Sequence, residues 1–517
     1  MSPSEATAFV DPFFGWLSVR RGLLNLLSLL AFVIVGLSLA SSWFQPPLQT
    51  KLDLLQVDLA LQAARTLDDP RYQDLARALL DQEVFKVASS RYQQVADNYA
   101  ERLQRLKRVA GLETRGEGST GDPALLTSVQ ELQAELDGLR LRLGLLYAYQ
   151  EDLEAAHRQW QQVVDPSRPF ELESPQKEAA QVLQGLWGTP RRILPEAEVH
   201  LHNHLDGWFE AVALQQLYQL QQRGDSLNAL NQQQEKLALA ALFRLAVVGG
   251  IPLLGALLGL ILLVGWLGWS FWRQRSLVGS PWEVPWPGIG AQAVLTGWFL
   301  GFLLLNALVP RLYTTLLGLG AQQLSPWHQG ATLFLTYNSG ALLGAGLLSW
   351  LLRAYPGWQK VLQVRLGGPW LLWGLCGYGA ALPLVVLAAA LSQLLLPQAG
   401  GGNPILPLLL ESHGWGARLL FLAVVSVCAP VFEEVLFRGF WLPTLGRYLP
   451  MGAAIALSAF TFAVAHLNLA DLLPLTMLGV VLGVVYSHSR NLLAPILLHS
   501  LWNTGSLVTL LVLAGAS

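Results

Sequence analysis

Residues 431–440, VFEEVLFRGF, set two adjacent carboxylates and a guanidinium at the end of an apolar run, LLFLAVVSVCAP at 419–430. A charge inside a membrane-grade segment costs on the order of 2.5–3.5 kcal/mol on insertion scales, and by default it marks function. On a helix, Glu434 and Arg438 share a face at i,i+4 with the acid N-terminal, the favourable order, so that pair can neutralise itself. Glu433 points about 100° away from Glu434 and needs a partner on another element. Two polar outliers follow in apolar helices: His466 in FAVAH, and His499 with Asn503 in HSLWN.

These groups form a chemical set. A carboxylate and an imidazole, Glu433 and His466, can hold and deprotonate a water. A second imidazole and an amide, His499 and Asn503, can donate hydrogen bonds to an oxyanion. His499 and Asn503 stand at i,i+4 and face one cavity. Phe462 and His466 have the same spacing, so the ring can pack beside the imidazole. The reaction class this set suggests is hydrolysis of an amide inside the bilayer. Glu433, His466 and His499 also suit a divalent metal such as Zn2+, with water in the open position. The helical zinc signature H-E-x-x-H is absent.

EEVLFR at 433–438 reads as EExxxR, FAVAH at 462–466 as FxxxH and HSLWN at 499–503 as HxxxN. In this order, on successive apolar helices, they resemble the CPBP family: the type II CAAX prenyl endopeptidases and the bacterial Abi, or bacteriocin-processing, membrane proteins. The resemblance covers roughly residues 370–514. It implies that Glu433 activates water, that His466 assists or binds metal, and that His499 and Asn503 stabilise the oxyanion. Glu434 and Arg438 support them. It implies an intramembrane endopeptidase, either a metalloenzyme or a glutamate-dependent one, acting on a membrane-associated protein or peptide. The alternative is a non-hydrolytic membrane scaffold or bacteriocin-immunity-type protein built on the same bundle. A transporter is disfavoured, because intramembrane charge forms a single cluster and the span pattern shows no internal repeat.

The elements that must position this set are membrane helices. Of 517 residues, 53% are hydrophobic and only 13% charged, about half the charged share of soluble domains, roughly 25%. The fold class is an all-α polytopic bundle with an inserted extramembrane helical domain. Nine spans are expected, near 22–44, 242–272, 291–309, 329–352, 370–396, 416–440, 452–467, 472–489 and 492–514. Pro and Gly breaks at 280–290, 354–369 and 397–403 separate them. Residues 1–44 form a tail and the first span, 240–369 spans two to four, and 370–517 the catalytic membrane domain. The first apolar run lacks an A-x-A site, so no cleavable signal peptide is expected. A net charge of -2 argues against a nucleic-acid partner. Cys376 and Cys428 lie in apolar runs and read as small buried hydrophobes.

Between the first two spans, residues 45–239 carry most of the charge, with apolar residues at helical spacing. TRGEGSTGD at 114–122 reads as a loop. Residues 141–164 resemble a tetratricopeptide hairpin: Leu143, Gly144, Tyr147, Ala156 and Trp160 fall at that repeat's offsets, with Arg140 where Trp is usual. One hairpin cannot bury its own face, so 175–187 and 205–222 are expected to stack on it. Such a domain would dock a protein or peptide; a plain helical bundle is the other reading. His200 and His204 in HLHNH stand at i,i+4, but with no third ligand of defined spacing nearby a metal site is not expected there.

With the N-terminus cytoplasmic, that side collects Arg20, Arg21, Arg273, Arg275, Arg353, Lys360, Arg365, Arg447 and Arg490, against Arg311 and Arg418 opposite. Residues 45–239 are then extracytoplasmic. On this reading Glu433 and Glu434 approach the cytoplasmic end of their span, and His466 lies late in its own, at an unmatched depth. Asn468 and Asp471 are expected to cap the next helix, and His488, Trp370, Trp373 and Tyr448 to sit at the interface.

Overall fold

The computed structural model describes residues 12–43, 48–81, 83–109, 123–165, 174–320, 324–396 and 415–515. The expected loop at 114–122, the break at 397–403 and the first part of the tail lie outside these residues. The described residues are helical, with no strand among them. The chain divides into two compact units, Met1–Gln49 with Ile251–Ser517, and Thr50–Gly250.

In chain order the helices are α1 (Pro12–Ser42), α2 (Leu48–Ala63), α3 (Gln73–Leu79), α4 (Val84–Val109), α5 (Pro123–Tyr149), α6 (Leu153–Val164), α7 (Lys177–Leu186), α8 (Ala197–His204), α9 (Gly207–Leu220) and α10 (Gly224–Leu245). They continue with α11 (Ile251–Trp272), α12 (Gly288–Leu317), α13 (Pro326–Leu352), α14 (Trp370–Leu395), α15 (Trp415–Gly446), α16 (Met451–Val464), α17 (Leu472–Ser489) and α18 (Leu493–Ala514). Eight helices among the described residues are long and apolar enough to cross a bilayer. The ninth expected span is the shorter α16, of 14 residues.

In the unit Thr50–Gly250, α5 and α6 form a hairpin. Glu151, at φ 66°, turns the chain, and the Asp152 side chain accepts from the Ala155 N–H at 3.0 Å, capping α6. The hairpin closes tightly because Gly144 has no side chain: a Cβ there would stand 2.2 Å from Trp160 Nε1. That indole instead donates to the Leu141 carbonyl at 3.2 Å. Residues of α7 and α9 share the hydrophobic core around Trp160. HLHNH lies on α8, where His202 pairs with Glu210.

In the other unit, close helix approaches rest on glycine, as in membrane bundles generally. At Gly340 of α13 an added Cβ would meet the Phe302 ring of α12 at 2.1 Å. At Gly479 of α17 it would meet Ala459 Cα of α16 at 2.8 Å and Arg438 Nη2 at 3.1 Å. Cys376 and Cys428 are free and partly exposed.

Helix α15 is the irregular one. Two stretches wind as π-helix, Val424–Cys428 and Val435–Trp441, each ending two residues before a proline, Pro430 and Pro443. Proline lacks an N–H and its ring crowds the carbonyl four residues back, which a wider turn relieves. The helix also runs on to Gly446, six residues beyond its expected end at 440. This corrects the expected mismatch in depth. Glu433 lies roughly 20 Å along α15 from Gly446, and His466 lies about as far from the start of α16.

Candidate active site

The site begins with the acidic pair on α15. Arg438 Nη1 donates to Glu434 Oε1 at 2.8 Å, and both residues are fully buried. The same oxygen accepts from His499 Nδ1 on α18, also at 2.8 Å. A carboxylate is acceptor-only, so this contact puts the proton on Nδ1 and leaves Nε2 for other work. The second Arg438 nitrogen, Nη2, donates to the Gly479 carbonyl on α17 at 3.3 Å, which the absent side chain at that glycine permits. Its guanidinium stands 4.3 Å from the Phe462 ring centroid.

Phe462 on α16 joins the pieces. Its ring is fully buried and meets three others edge-on: His466 at 4.8 Å, His499 at 5.6 Å and Phe437 at 5.4 Å between centroids. Its carbonyl bonds His466 Nδ1 at 2.9 Å. His466 therefore reaches the cluster through Phe462; no hydrogen bond or ion pair ties it to Glu433 among the described residues.

Glu433 turns the other way, as its helical phase requires. Its Oε1 accepts from Tyr337 Oη of α13 at 2.9 Å. Its Oε2 stands 3.9 Å from His499 Nε2, too far for a direct hydrogen bond and within the span of one bridging water. Glu433 keeps 14% side-chain exposure where Glu434 keeps none, so of the two acids it is the one a substrate can approach.

Asn503, one turn beyond His499, has a local cause for its place. The Val425 carbonyl lies five residues before Pro430, in the π-helical stretch where that residue's N–H would bond back to it, and proline has none. Asn503 Nδ2 donates to this carbonyl instead, at 2.7 Å. One amide hydrogen is used and the other remains.

Residues 415–505 match the family model described as type II CAAX prenyl endopeptidase Rce1-like. The Rce1-like segment takes in Glu433, Glu434, Arg438, Phe462, His466, His499 and Asn503 and leaves out Tyr337. No curated protein and no solved structure matches the chain.

Two expectations need correcting. The ligand set Glu433, His466 and His499 is not assembled: no group of three or more His, Cys, Asp or Glu side chains among the described residues is disposed to hold a metal ion. Asp471 does occupy the cap position of α17, but its side chain bonds Asn468 rather than a helix N–H. Burial pushes its carboxyl up, opposed by the charge of nearby His466 and by that hydrogen bond. Tyr337 was missed by sequence reasoning. The available signal was a polar run, Tyr337–Ser339, in the middle of an otherwise apolar span.

Proposed function

We propose that the Rce1-like segment is the catalytic part of an intramembrane endopeptidase that cleaves a membrane-associated protein or peptide with a water activated by Glu433. The observation that carries this reading is the disposition of the two acids. Glu434 fixes the His499 imidazole by Nδ1, while Glu433 faces its Nε2 at 3.9 Å. Glu433 Oε2 takes a proton from water as the water oxygen bonds to the scissile carbonyl carbon. The carbonyl electron pair moves to oxygen, where His499, through Nε2, and Asn503, with its remaining amide hydrogen, stabilise the charge. The C–N bond then breaks, and the leaving nitrogen takes the proton from Glu433. His466, beside the same Phe462 ring, assists in holding the water. No step runs through a metal.

We further read the N-terminus as cytoplasmic and residues 45–239 as extracytoplasmic, on the distribution of loop arginines and lysines. The α5–α6 hairpin, with its tetratricopeptide-like offsets, supports a docking role for that unit toward a protein or peptide substrate.

The test compares protein termini in cells carrying wild type or Glu433→Gln. Termini that appear with wild type and fall by about 10²- to 10⁴-fold with the variant are the expected result, and they name the substrates. Identical terminal profiles, with the variant still complementing a deletion, would make the bundle a binding scaffold.

A further inference from the structure

We infer that Tyr337, outside the Rce1-like segment, is a positioning residue for the general base: its hydroxyl selects the orientation in which Glu433 Oε2 faces His499. The inference rests on the endopeptidase reading above.

A glutamate side chain has three rotatable torsions, and a base must be held to within a fraction of an ångström to act. Glu434 is held by Arg438 and His499. Glu433 has neither. Its bond to Tyr337 Oη, at 2.9 Å, fixes one oxygen and so aims the other. The tyrosine is itself braced. Its ring lies edge-on to Phe302 at 6.1 Å, and Phe302 reaches that position by entering the notch at Gly340, one turn along α13. The neighbouring polar residues behave differently. Asn338 Nδ2 donates to the Phe334 carbonyl at 2.8 Å and Ser339 Oγ to the Leu335 carbonyl at 2.7 Å, both back into their own helix. Tyr337 sends its polar atom across to another helix, and that atom ends on the carboxylate the mechanism needs.

The experiment uses the full chain in lipid nanodiscs and has two readouts. Difference infrared spectra of wild type and Tyr337→Phe, which need no substrate, report the carboxyl region. A band shift that vanishes when both proteins also carry Glu433→Gln is expected; its absence in the wild-type background would overturn the inference. Turnover is read on a membrane-anchored fluorescent reporter carrying a sequence cleaved in the termini comparison. Tyr337→Phe is expected to lower kcat by about 10- to 100-fold, the worth of a hydrogen bond to a charged group. KM should stay within about 2-fold, and the loss of kcat should persist at temperatures well below the variant's thermal midpoint. Unchanged kcat, or a loss that merely follows a lower midpoint, would overturn it. If Glu433→Gln abolishes turnover while Tyr337→Phe does not, this inference falls and the endopeptidase reading stands. If Glu433→Gln keeps wild-type turnover, the reading itself falls.

Discussion

Arg438 sits on the Phe462 face with its two terminal nitrogens on Glu434 and Gly479, and neither it nor Glu434 keeps exposed surface. Removing one member of a buried pair strands the other charge, at about 3–5 kcal/mol. Arg438→Met is therefore expected to destabilise the detergent-solubilised chain by an amount of that order, read as a lower unfolding midpoint. Adding Glu434→Gln should restore most of it, since the amide oxygen still accepts from His499. A single variant as stable as wild type would contradict the pairing. The sequence shows this pair plainly, because i,i+4 partners lie on one helix. It also shows Phe462 beside His466, by the same spacing. It does not show Arg438 over Phe462, or His499 on Glu434. Those contacts depend on how α15, α16 and α18 are rotated against one another, which no local spacing encodes. Tyr337 is harder still, since its partner lies 96 residues away on a helix with no motif.

At the scale of the element, α15 is irregular, and the proposed chemistry depends on that irregularity. Pro430 leaves the Val425 carbonyl without its helical donor, and Asn503 takes that place. Pro430→Ala supplies the missing N–H and a better helix former, worth up to about 3 kcal/mol in an ordinary helix interior. The expected outcome is a thermal midpoint equal to or above wild type with kcat down by about 10-fold, as Asn503 loses its anchor. Reporter turnover and differential scanning fluorimetry measure the two. A gain in both would show that the π-helical stretch has no part in the site. The proline is visible in the sequence, and the helix around it is legible from its apolar run. The change of winding is not, because VVSVC carries no signature of it. The same blindness placed the end of this helix six residues short and misjudged the depth of Glu433.

For the whole molecule, the proposed topology rests on charge placement and is checked by accessibility. In a chain with Cys376 and Cys428 replaced by serine, a cysteine at Glu154, whose side chain is 93% exposed, is expected to react with an impermeant maleimide in intact cells. One at Lys360, an exposed loop position, is expected to react only after lysis. The reverse pattern would invert the orientation.

The placement of the partners also orders the birth of the site in time. Glu433 is received by Tyr337, already synthesised when α15 emerges. Glu434 is received by His499, which follows 65 residues later, on the order of 3–13 s at about 5–20 residues per second. During that interval α15 holds one satisfied acid and one that leans on Arg438 alone. Chains stalled before α18 thus carry a Glu434 carboxylate that lacks its His499 partner. They are the form of this protein that membrane quality control should recognise and remove.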